Sequence, residues 1–249
     1  MSGHSKWHNI AGRKSVQDAK KGAVFSKMAK EITVAVRQGG ADEDANVRLR
    51  LAIDRARAAN VPMDNIQRAI QRGSGQDDSA QYTELTYEGY GPGGVALLVD
   101  VLTDNRNRTA SDIRYIFSRN GGNLAEAGAV AWMFERKGYL VVDRLQNDLD
   151  EEEMLEEALE TGADDVKVSD EAYELYTAPE MFDMVRQALS QKGTTFAEQQ
   201  LAMVAKAEVP VSGKEAEQVL RLIDALEEHD DVQNVFTNAA LDVVESEPS

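Results

Sequence analysis

Tyr82-Thr83-Glu84-Leu85-Thr86-Tyr87-Glu88-Gly89, a glycine turn, and the apolar run from Val95 to Leu102 decide how this chain folds. Tyr82, Glu84, Thr86 and Glu88 alternate with Thr83, Leu85, Tyr87 and Gly89, the period of two that belongs to a strand. Gly89, Gly91 and Gly94 formally match a dinucleotide-binding glycine pattern, but they lie between two strands. That pattern needs a helix N-terminus, so a hairpin turn is expected, with Pro92 and the glycines supplying the backbone angles.

Before this stretch the period is about 3.6. From Ser15 to Gln38, Phe25, Met28, Ile32 and Val36 recur at three and four, and Gly39-Gly40 stops the helix. Lys20, Lys27, Lys30 and Arg37 fall on the opposite side, so the face expected to meet water is cationic. A second helix begins near Asp44 and ends before Pro62, and a third runs from Met63 to Arg72 into the linker Gly73-Ser74-Gly75. Residues 1–75 read as a three-helix domain.

After the hairpin, Thr109 and Asp112 form a capping pair for a helix carrying Ile113, Ile116 and Phe117, which Gly121-Gly122 ends before a strand at about Val130 to Glu135. A strand at Tyr139 to Val142, a helix at Glu151 to Glu160, strands at Val166 to Val168 and Tyr173 to Thr177, a helix at Pro179 to Ser190 and a strand near Phe196 to Val204 follow. The order βαββαβ is that of a ferredoxin-like fold. Thr177 with Glu180 and Ser212 with Glu215 read as further capping pairs, and a last helix leads into a strand at Val232 to Phe236. The fold class is α+β, with residues 136–205 inserted as an acidic ferredoxin-like domain into a discontinuous α/β domain of residues 76–135 and 206–249.

Charge divides along the same lines. Residues 1–75 hold 14 Lys and Arg against seven Asp and Glu, a net +7, although the 249-residue chain is −17, which leaves −24 on the remainder. Such a field draws polyanions to the first domain and repels them from the rest. The chain has no Cys, which removes thiolate nucleophiles, Cys-based zinc sites and disulfides together and fits a reducing compartment. No run of about 18 apolar residues exists, and the first seven residues lack the apolar core of a secretory signal, so a cytoplasmic location is expected.

Few motifs carry chemistry. His4 and His8 at i and i+4 lack a third ligand for a metal. The acidic run Asp148-Leu149-Asp150-Glu151-Glu152-Glu153 sits at a helix start, where the dipole favours acids. With no nucleophile–base pair or metal set in these motifs, no enzyme, cofactor, metal or small-molecule substrate is expected. Two features point to nucleic acid. Lys6, Trp7, His8, Arg13, Lys14, Lys20, Lys21, Lys27, Lys30 and Arg37 interleave cations for phosphate with an aromatic able to stack on a base. Thr103-Asp104-Asn105-Arg106-Asn107-Arg108-Thr109 feeds a helix N-terminus, where free N–H groups with Arg106 and Arg108 suit an anion, unless Asp104 and Asp112 neutralise the arginines.

Ser2-Gly3-His4-Ser5-Lys6-Trp7, Phe25-Ser26-Lys27, Asn46-Val47-Arg48-Leu49-Arg50, Asn60-Val61-Pro62-Met63-Asp64-Asn65-Ile66, Leu102 to Thr109 and Asp230-Asp231-Val232-Gln233-Asn234-Val235-Phe236-Thr237-Asn238 together resemble the YebC/PmpR family over nearly the full length. The resemblance implies three domains, a cytoplasmic bacterial setting and a DNA-binding transcriptional regulator. A mitochondrial relative activates translation of cytochrome c oxidase subunit I, so the resemblance also implies ribosomal RNA and the ribosome as partners. Duplex DNA and ribosomal RNA both stand as expected targets, with no membrane partner.

Overall fold

The structure, a computed structural model, describes residues 21–75, 82–147 and 150–242, with the side chains of residues 21–23 and 242 left out. Helices α1 (Lys21–Gly39), α2 (Val47–Ala58) and α3 (Met63–Ser74) close on Ile32, Val36, Leu49, Ile53 and Ile66. Helix α2 starts at Val47 rather than Asp44 because Asn46 takes the N-cap: its side chain accepts the Leu49 N–H at 3.0 Å and donates to the carbonyls of Ala35 and Gly40, both at 2.8 Å. One amide thus ties the end of α1 to the start of α2.

The first sheet follows, ordered β3 (Asn123–Leu124), β1 (Thr83–Tyr90), β2 (Ala96–Thr103) and β9 (Val232–Thr237), every neighbour antiparallel. The glycine turn is the expected hairpin, with Gly93 at φ +70° and Gly94 at φ +75°. Odd residues of β2, Leu97, Val99 and Val101, pack under α4 (Arg106–Arg119) and α7 (Gly213–Glu227). Even residues Ala96 and Leu98 pack on Tyr139, Val141 and Tyr176 of the second sheet. Burial on both faces is why β2 is apolar but for Asp100 and the terminal Thr103.

The second sheet is ordered β5 (Asp165–Val168), β6 (Ala172–Thr177), β4 (Phe134–Asp143) and β7 (Glu198–Ala205), with α5 (Glu151–Thr161) and α6 (Phe182–Gln191) over Leu140, Val142, Tyr173 and Leu175. This antiparallel βαββαβ order is ferredoxin-like. The acidic run does begin a helix: Asp150 and Glu153 form a capping box, and Gly162 ends the helix in the left-handed region at φ +101°.

Three sequence expectations need correction. The strands expected at Val130–Glu135 and Tyr139–Val142 are one strand, β4, preceded by a 3₁₀ turn at Ala131–Met133. Phe134 and Glu135 already pair with Ala205 and Val204, so a boundary at 135/136 falls inside a strand. Gly138, which looks like a break, is there because any Cβ would run into the Thr177 hydroxyl and the Phe182 ring. Helix α6 starts at Phe182 with no side-chain cap, Thr177 spending its hydroxyl on the Ala178 carbonyl at 2.8 Å. A parallel pair, β8 (Val209–Ser212) with β10 (Ala239–Asp242), was not expected, being short and carrying Pro210. Gly138→Ala is expected to cost about 2 kcal/mol by overpacking, read from urea unfolding; an unchanged midpoint would show that the Phe182 ring yields freely.

Candidate nucleic-acid interface

Of the cations singled out by sequence, Lys6, Arg13, Lys14 and Lys20 lie outside the described residues, as do Trp7 and His8, and Lys21 is described by its backbone only. Lys27, Lys30, Arg37, Arg106 and Arg108 can be placed. Three of them converge from two elements on one acidic turn between α7 and β9.

Asp231 is the centre of that turn, its side chain 4% exposed. Lys30 Nζ of α1 lies 2.8 Å from Oδ1 and also donates to the Asp230 carbonyl at 3.1 Å. Arg108 of α4 donates to Oδ2 at 3.0 Å and to Asp104 at 3.0 Å, and the Thr109 hydroxyl donates to Oδ2 at 2.8 Å. The Asp231 N–H donates to His229 Nδ1 at 3.1 Å, so the ring proton sits on Nε2, 3.3 Å from Asp112. Burial would raise the Asp231 carboxyl, but hydrogen bonds from Lys30, Thr109 and Arg108 outweigh it and hold the group well below 3.8. Lys27 donates to the Glu227 carbonyl at the C-terminus of α7, where the dipole favours a cation; burial nevertheless pulls its ammonium below 10.5, against the attraction of Glu227 and Asp230.

Two residues of the cationic face of α1, Lys27 and Lys30, are therefore not left to water as the wheel implied. Lys27 and Lys30 dock the helical module onto the α7–β9 turn, and an open hollow of about 460 Å³ remains beside them, lined by Lys30, Arg108, His229 and Asp231. Other cations of the first module are spent likewise. Arg48 bridges Glu31 (3.0 Å) and Glu84 (2.8 Å), Arg50 pairs with Asp183 (3.0 Å), and Asp54 receives Arg186 (3.6 Å). Part of the charge segregation thus serves the packing of the modules on one another.

The Asn-Arg-Asn-Arg segment also departs from expectation. Asn105, not Thr109, caps α4, accepting the Arg108 N–H at 3.1 Å, while the Asn105 N–H is itself taken by the Thr103 hydroxyl at 2.9 Å. Thr109 is buried and belongs to the Asp231 network. Arg108 is neutralised by Asp104 and Asp231, whereas Arg106 is exposed and has no ion-pair partner among the described residues. Arg37 is exposed at the end of α1. Arg68, Arg72, Arg114 and Arg119 are exposed and, like Arg106, have no ion-pair partner among the described residues; they extend the cationic surface beyond what the motifs suggested.

A second arrangement escaped the sequence reading. Glu88, 7% exposed, turns its carboxylate under the 125–133 loop and accepts three backbone N–H groups, from Gly128 (2.6 Å), Val130 (2.7 Å) and Ala131 (2.8 Å). Burial would raise this carboxyl, but the three N–H groups hold it below 4.5. The loop so fixed presents Trp132 at 66% exposure, with its ring N–H on the Ala129 carbonyl and its own carbonyl taking the Lys206 ammonium at 2.9 Å.

Comparison with known proteins fits this architecture. The family model described as the TACO1/YebC protein N-terminal domain matches residues 5–76, and that of the TACO1/YebC second and third domain matches residues 82–239. A "probable transcriptional regulatory protein" of Lactobacillus delbrueckii subsp. bulgaricus is 56% identical over 96% of this chain and 98% of its own. One of the same description from Geobacillus thermodenitrificans is 51% identical over 99% of this chain and 100% of its own. A crystal structure of a conserved hypothetical protein from Aquifex aeolicus superposes with a TM-score of 0.83 at 43% identity, over 93% of this chain and 94% of that one. Matched along nearly its whole length by both domain models, the chain belongs to the TACO1/YebC family.

Proposed function

We propose that this protein regulates gene expression by binding nucleic acid through its basic N-terminal module, with Lys6, Arg13, Lys14, Lys20, Lys21 and Arg37 facing phosphates and Trp7 stacking on or wedging between bases. The observation that carries this is the +7 charge of residues 1–75 on a chain whose remainder is −24. Relatives described as transcriptional regulatory proteins support a regulator. Contacts of this kind position a protein without reading sequence, so little base selectivity is expected of the module itself. Arg106 adds a second anchor.

The −24 body favours one target over the other. A long uniform duplex repels it, whereas a ribosome offers RNA beside basic proteins and gives both halves a partner. Sedimentation of a lysate at low salt, with and without nuclease that spares monosomes, separates the two. Travel with monosomes after nuclease marks a translation factor; recovery at the top of the gradient, with duplex DNA retained in a pull-down, marks a DNA-binding regulator.

Charge reversal at Lys27 and Lys30 is a poor test of the phosphate contacts, because it also breaks the dock on Glu227 and Asp231. Lys14→Glu with Lys20→Glu is the cleaner variant. If both meet phosphates, the slope of log K against log salt should flatten by about 1.8 on a duplex, roughly 0.9 for each contact. An unaltered slope removes both residues from the interface.

A further inference from the structure

The face of the first sheet that looks away from α4 and α7 changes character along its length. At one end Ala96, Leu98 and Phe236 are sealed by the second sheet. Further along, a row of polar side chains crosses the middle of the sheet: Thr86, Asp100 and Asn234 are register partners on β1, β2 and β9. Asp100 is the one charged residue of β2, a strand otherwise buried throughout. The β2–β9 register shifts at the next residue, an irregularity of the kind that gathers beside functional sites.

This row opens on a cleft of about 800 Å³ where α2, the first sheet and β7 meet. Its volume falls in the range of small-ligand sites, about 300–1,000 Å³. Three residues of its lining keep a buried polar atom without a hydrogen-bond partner among the described residues: Arg55 Nε, Gln199 Oε1 and Gln233 Nε2. Orphans of this kind cost about 1–3 kcal/mol each and call for an explanation.

The charges of the cleft narrow the choice. Glu31 and Glu84 are held by Arg48, and Glu88 is filled by its three N–H groups. Asp100 is hydrogen-bonded only by uncharged groups, the Thr86 hydroxyl at 2.7 Å and Asn234, with Arg136 and Glu84 as its charged neighbours. Burial, with Glu84 nearby, raises its carboxyl above 3.8, though Thr86, Arg136 and Asn234 pull the other way. Arg136 has no ion-pair partner among the described residues. Four carboxylates against three guanidiniums do not suit a polyphosphate. They suit a planar, uncharged group whose edge alternates donors and acceptors, with at most one phosphate beside Arg136.

We propose that this cleft holds an unpaired nucleobase, its edge met by Asp100, Asn234, Gln199 and Gln233. The inference rests on the nucleic-acid reading above and adds to it the base recognition that the phosphate contacts lack.

The test uses the full chain, a short unstructured single-stranded RNA, the four free nucleosides, and the variant Gln199→Met with Gln233→Met. The variant is expected to melt no lower than the parent, because two orphaned amides are replaced by apolar chains of similar size. It should bind the RNA about tenfold more weakly, within the range of a lost base contact, while the salt slope stays unchanged. At least one nucleoside should compete with the RNA on the parent and not on the variant. A variant that melts lower, or that binds as the parent does, overturns the base site, and so does RNA binding that no nucleoside disturbs. If the parent binds neither RNA nor duplex DNA, it is the nucleic-acid reading itself that falls.

Discussion

Asp231→Ala should lower the unfolding free energy by about 3 kcal/mol, because it removes a carboxylate that is almost wholly buried and leaves the Lys30 ammonium facing the turn without its counter-charge. Asp231→Asn keeps the shape and loses the charge, so its cost should be smaller and should depend on pH with a definite sign. The carboxyl is held below 3.8 in the folded protein, so its stabilisation is complete above that value and fades as pH falls through it. The parent and Asp231→Asn unfolding curves should therefore approach one another in acid. A gap that persists unchanged at the acid end would mean that charge is not what Asp231 contributes. The same variant bears on function: it uncovers Lys30 while Lys27 stays on the Glu227 carbonyl, so if Lys30 can then reach phosphate the salt slope should steepen by up to about 0.9, and stability falls while affinity rises. Loss of both together would put Lys30 in the framework of the fold alone.

That pairing also shows where sequence reading stops. The cations were legible because they are counted locally and lie at helical spacing. Their partner was not, since Asp231 stands 201 positions beyond Lys30 and its two carboxyl oxygens are claimed by α1 and α4 together. Thr109 failed as a predicted cap for the same reason: its hydroxyl is drawn to Asp231, and Asn105 caps the helix one turn earlier. The ferredoxin-like order was legible because its signals are short-range, as in the Asp150–Glu153 box and the left-handed Gly162. The unity of β4 was hidden because Gly138 reads as punctuation when it is a packing requirement set by Phe182, more than forty residues on. Asp100, Gln199 and Gln233 gave no signal at all, since what singles them out is a sheet row and a missing partner.

Glu88→Ala should be the most disruptive change in the second module, at about 4 kcal/mol. Three backbone N–H groups, that of Val130 buried and those of Gly128 and Ala131 part-buried, lose one acceptor at once, and hydrogen bonds to a charged group contribute about 1.5–3 kcal/mol each before any water repairs the gap. Glu88→Gln retains one carbonyl oxygen and should fall between that variant and the parent. The 125–133 loop hangs on this carboxylate, so the damage should be local before it is global. Trp132 is one of two tryptophans in the chain, and in a Trp7→Phe background its emission reports the loop. Glu88→Ala should change that emission at denaturant concentrations well below those that unfold the sheet. In the parent the carboxyl sits below 4.5, so the carboxylate's contribution to stability holds above that value, begins to fade there and is lost as pH falls through the lower folded-state value. A Trp132 signal that moves only with global unfolding would show that the loop is held by Phe134 and the second sheet, and that Glu88 merely occupies the space beneath it.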